Sequence, residues 1–198
     1  MKGAFFNSPE SEMMNLLCGI GKSRIGHDSV TIENYPFEPS SVFPGRTVPA
    51  AEIVSVQLDA TPPVFQVGGE MIFISAGYKL ELEQFALRNG IPVTRQTLNW
   101  DNLLDPFLDT EFSQDYILRT SRMLEKNGFE PAEIEAIRNE VSEQMYKYNF
   151  DTMLWEWVSL GLADVLSAMR VKYDRDRFRD FYRRAMEIEI RGMNGTGC

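Results

Sequence analysis

Between residues 28 and 76 the apolar positions come in short runs, not at helical intervals. Val30-Thr31-Ile32, Ile53 to Leu58, Val64 to Val67 and Met71 to Ile74 are rich in β-branched or aromatic side chains. Pro36, Pro39, Pro44-Gly45, Pro62-Pro63 and Gly68-Gly69 punctuate them. Runs of this kind between such breakers predict about four antiparallel strands. Ile53, Ser55 and Gln57 alternate with Val54, Val56 and Leu58, which makes one face of that strand the more polar. Gly68-Gly69 predicts a tight hairpin. A sheet this small has to bury one face against helices.

After Ala76 the period becomes helical. Tyr78, Leu82, Phe85 and Ala86 share one side of a segment that Asn89-Gly90 stops, with Pro92 beyond. Leu98 to Leu104 predicts a short helix that Pro106 interrupts. Ser113 caps a segment carrying Ile117, Thr120 and Leu124, which ends at Asn127-Gly128. Pro131 opens the best-patterned helix, with Ile134, Ile137, Val141, Met145 and Tyr148 on one face and Glu130, Glu133 and Glu135 at its positive end. Asp151 reads as the N-cap of a mostly apolar central helix that runs to about Arg170 and includes Trp155 and Trp157. Asp174 to Arg191 is the last helix, with Phe178, Phe181, Ala185 and Ile188 together.

The expected class is α+β: a small N-terminal antiparallel β-sheet of about four strands, packed against a C-terminal helical subdomain of about four to six helices. Residues 1–27 are expected to hold a short helix from Ser8-Pro9-Glu10 and a flexible, glycine-rich connection. Residues 28–76 form the β region, 77–191 the helical region and 192–198 a disordered tail, all in one compact unit because the sheet needs a cover.

Composition narrows this picture. In 198 residues, 43% are apolar and 25% charged, enough for a core and too balanced for wholesale disorder. The net charge of -9 argues against broad binding of nucleic acid or an anionic membrane. Cys18 and Cys198 give no disulfide framework, and MKGAFFNSPE lacks the apolar run of a signal peptide. Phe150 to Met169 is long enough for a membrane span but carries Asp151, Glu156 and Asp164, so a buried helix is expected. A cytoplasmic protein with no membrane contact follows.

Candidate chemistry is sparse. His27 is the single histidine, which removes most zinc, copper and non-haem iron schemes and leaves it as a weak acid–base candidate in a loop. GIGKSR, residues 19–24, resembles a phosphate loop only superficially: its glycines are two apart and no strand precedes them. Asp101, Asp105, Asp109, Glu111 and Asp115 form a dense acidic run, the first three spaced by four. It lacks the glycine-centred ligand spacing of a calcium loop, and a solvated or salt-bridged face is its plainest reading. Glu133, Glu140 and Glu143 lack the histidine partners of a di-iron bundle. From Arg170 to Arg191 the charge reverses to +3, leaving -12 for the rest. There Arg175, Arg179 and Arg183 recur every four residues beside Phe178 and Tyr182, a candidate interaction surface. Asp174, Asp176 and Asp180 interleave with them and would repel a nucleic-acid backbone.

These features favour a non-enzymatic protein-interaction or self-association module, a homo-oligomer or bound to a protein partner, with no cofactor and no metal. The alternative is a carboxylate-dependent hydrolase or lyase drawing on Asp101, Asp105, Asp109, Glu111 or His27. An acidic binder that neutralises a basic protein through the 101–115 run is a third reading.

Overall fold

The computed structural model describes residues 20–95, 97–108, 113–152 and 160–193, with the backbone alone at 150–152. The expected N-terminal helix, Cys18, Asp109, Glu111, Trp155, Trp157 and Cys198 lie outside the described residues. The class is α+β, with two three-stranded sheets in place of the single four-stranded one. The chain divides into two compact units, one built from Gly19–Gln96 with Arg179–Met186, the other from Thr97–Phe178 with Glu187–Cys198.

In the first unit, β1 (Lys22–Ile25), β2 (Ser29–Glu33) and β3 (Gly45–Pro49) form one antiparallel sheet in that order. Strand β1 corrects the expectation of a flexible connection. Its inward residue is Ser23, with Lys22 and Arg24 turned out, so no apolar alternation announces it. Gly21 just before it admits the backbone of the neighbouring turn: a Cβ there would collide with the Glu33 carbonyl oxygen. Strand β3 buries Val48 alone among its residues and tolerates Pro49 because it lies at the sheet's edge. Thr31 and Thr47 share a hydrogen bond across the β2–β3 pair at 3.0 Å.

A second antiparallel meander joins β4 (Ile53–Gln57), β5 (Val64–Val67) and β6 (Glu70–Phe73). Gly68, at φ +56°, makes the expected turn between β5 and β6. The proline-rich stretch between β2 and β3 is more than punctuation. It buries Tyr35, Phe37 and Val42, and Phe37 meets the rings of Tyr35 and Phe73, each at 5.8 Å. Helix α1 (Lys79–Asn89) also belongs to this unit and stops at Gly90, which takes the left-handed conformation (φ +66°) that favours glycine.

The second unit is helical: α2 (Asn99–Leu104), α3 (Gln114–Lys126), α4 (Pro131–Thr152), α5 (Leu162–Lys172) and both ends of α6 (Arg175–Ile190). Pro106 does interrupt the first of these, in a 3-10 turn over Asp105–Phe107. The expected central helix from Asp151 to Arg170 is corrected. Helix α4 runs through Asp151, which is therefore no N-cap, and Gly161 is extended before α5 begins. The break is held by polar contacts that an apolar run conceals: the Gly161 N–H donates to Asp164 Oδ2 at 2.8 Å. Asn99 ties α2 to the end of α6, its amide donating to the carbonyls of Ile188 and Arg191 at 2.8 and 2.9 Å. No helix among the described residues is long and apolar enough to cross a membrane.

Candidate functional site

Five of the six residues of α2 are buried, and Asp101 is the exception, half-buried between them. Asp105 follows one turn later, where its N–H closes the helix on the Asp101 carbonyl. The two carboxylates therefore do not form a solvated face. Asp101 points toward the α4–α5 break: a Cβ on Gly161 would lie 3.2 Å from its Oδ1. Asp164 comes to the same glycine from α5 and also accepts the Tyr148 hydroxyl at 3.2 Å. The Tyr116 hydroxyl donates to Asp105 Oδ1 at 3.3 Å, while Asp105 Oδ2 is buried with no hydrogen-bond partner among the described residues.

All three carboxyls hold their protons more tightly than an exposed aspartate. Burial pushes Asp101 up to about 7, and repulsion from Asp164 and Asp105 adds to it. Burial likewise raises Asp105 to about 6, against the Tyr116 hydrogen bond and the charges of Arg138 and Arg119. Asp164 is raised by burial, opposed by the hydrogen bonds from Gly161 and Tyr148. Sequence spacing picks out Asp101 and Asp105. It misses Asp164, Tyr116, Tyr148 and Arg138, which only the fold assembles. Among the described residues no three His, Cys, Asp or Glu side chains are grouped so as to hold one metal ion.

The remaining candidates lie elsewhere. His27 is exposed in the β1–β2 turn, where its carbonyl accepts the side chains of Arg88 and Asn89 at 3.2 and 2.9 Å. Arg175, Arg179 and Arg183 are exposed on α6, but Phe178 and Tyr182 are 5% and 2% exposed. Those aromatics serve the core and share no surface with the arginines. Phe37 and Tyr182 pack ring to ring at 6.1 Å.

Helix α3 supplies a surface that the sequence reading does not single out. Ser113 caps it as expected, accepting the Tyr116 N–H at 3.3 Å. Its buried residues are only Thr120 and Leu124. Ile117, Leu118 and Met123 are 52%, 53% and 37% exposed. Leu118 and Met123, with Asp115, Arg119, Arg122 and Lys126, line a shallow groove of about 520 Å³. Its described lining comes from this one helix and sets two apolar side chains among three cations and one carboxylate. Compared with protein-family models, curated proteins and solved structures, the chain matches none.

Proposed function

We propose that this protein is a non-enzymatic interaction module that binds an acidic, apolar helix of a protein partner through the outer face of α3. One observation carries the reading: a helix face on which Leu118 and Met123 stand exposed among Arg119, Arg122 and Lys126. Three cations against one carboxylate on this face select an acidic partner surface. Pairing this face with itself would set cation against cation, so the occupant is a different surface. A cytoplasmic setting is part of the reading, supported by two cysteines and no disulfide framework.

Acid–base chemistry at Asp101 and Asp105 is a second reading, favoured by their titration near neutrality. It stands behind the first because Asp105 Oδ2 is buried, out of reach of a substrate.

The test is fluorescence anisotropy with a labelled, capped helical peptide carrying leucines along one face and glutamates flanking them. Saturable binding is expected, weakening with added salt. Leu118→Asp combined with Arg122→Glu should weaken it about tenfold or more. Absence of saturable binding, equal binding of a lysine-flanked peptide, or an unaffected double variant would overturn the proposal.

A further inference from the structure

The α3 groove and the buried end of Asp105 are joined by one short series of side chains. The Tyr116 hydroxyl donates to Asp105 Oδ1, and the Arg119 guanidinium lies over the Tyr116 ring, 5.2 Å from its centre. Arg119 in turn lines the groove. The other charged groups that bear on Asp105 are Arg138 from α4 and Asp101 from α2. Arg138 spends its guanidinium on backbone, donating to the carbonyls of Leu103 and Asn102 at 3.1 and 3.0 Å. The ionised Asp105 carboxylate, with one oxygen buried and unpartnered, thus depends on the field of two guanidiniums, one of which a ligand in the groove can reach.

We infer that docking of an acidic partner on α3 is coupled to uptake of a proton by Asp105, so that this surface binds more tightly in mildly acidic solution. The inference rests on the α3 reading above. A partner carboxylate drawn to Arg119 cancels part of the cationic field at Asp105 and adds negative charge nearby. Both effects disfavour the ionised form, and a proton passes from solvent to the Asp105 carboxyl. The Tyr116 hydroxyl still donates to Oδ1 after that transfer. By thermodynamic reciprocity, a proton that binding draws in is a proton that promotes binding. Asp105 titrates at about 6, so the effect falls between pH 5.5 and 7.5, above the range of the partner's own glutamates.

The experiment is isothermal titration calorimetry of the glutamate-flanked peptide at pH 5.5 and 7.5, and at pH 6.5 in two buffers of different ionisation enthalpy. Wild-type protein is expected to bind about threefold more tightly at the lower pH, with a buffer-dependent heat that reports proton uptake. Asp105→Asn replaces a buried acid by a neutral amide of the same shape; its helicity, checked by circular dichroism, should be unchanged. It should bind equally at both pH values with no buffer dependence. Wild-type binding without a pH slope or proton uptake overturns this inference alone, as does an Asp105→Asn protein that keeps the full slope. Absence of peptide binding at either pH overturns the α3 reading and this inference with it.

Discussion

Burial holds the Asp101 and Asp105 carboxyls at about 7 and 6, above the ordinary 3.8, so the native chain keeps protons that the unfolded chain has already released. For a raised carboxyl the stabilising contribution is complete below the unfolded value and is lost as pH climbs through the folded one. The melting temperature of the helical unit should therefore fall between pH 5 and 8, the reverse of a protein held by ionised carboxylates. Thermal melts followed by circular dichroism would show it, and Asp101→Asn should flatten the slope; a melting temperature that rises over this interval would contradict the burial of these acids. Asp164 depends on its donors, and Tyr148→Phe removes one of them at a cost of about 1–3 kcal/mol, measurable by urea denaturation. The spacing of Asp101 and Asp105 is visible in the sequence, but their withdrawal from water is not. Trp100, Leu103 and Leu104 bury the rest of α2, and Asp164 meets Asp101 from the far side of a helix break.

Element boundaries follow the strength of the local signal. The Asn89-Gly90 stop, the Ser113 cap and the Gly68 turn are legible because each needs a particular residue in a particular backbone state. Strand β1 is not, because Ser23 occupies the inward position where a strand ordinarily shows valine or isoleucine. The α4–α5 break is hidden by apolar residues on both sides of Gly161. Helix α3 offers the sharpest test at this scale. Leu124 is fully buried and is its one large apolar anchor, so Leu124→Ala should cost about 2–5 kcal/mol in chemical denaturation. Leu118→Ala, at an exposed position of the same helix, should stay within about 0.5 kcal/mol. Equal effects would mean that α3 seats on a different face.

Over the whole molecule, contact grouping cuts across chain order. The composition shift at residue 77 is real, yet α1 beyond it groups with the sheets, and so does the middle of α6. No periodicity in a single chain reports that residues 179–186 serve a core laid down by residues 30–74. Tyr182 meets Phe37, and the Met71 N–H lies 3.4 Å from the Met186 sulfur. A fragment ending at Gln96 lacks these side chains. Its amide NMR spectrum should show the narrow dispersion of an unfolded chain, and a well-dispersed spectrum would show that the sheets need no help from α6. The same arrangement sets a timetable during synthesis. The strands leave the ribosome first, but their core waits for a segment more than eighty residues downstream. At ordinary elongation rates the wait is roughly 5–15 s. Through that interval Phe37 and Met71 lack their α6 partners, and the nascent chain exposes apolar surface of the kind that chaperones shield.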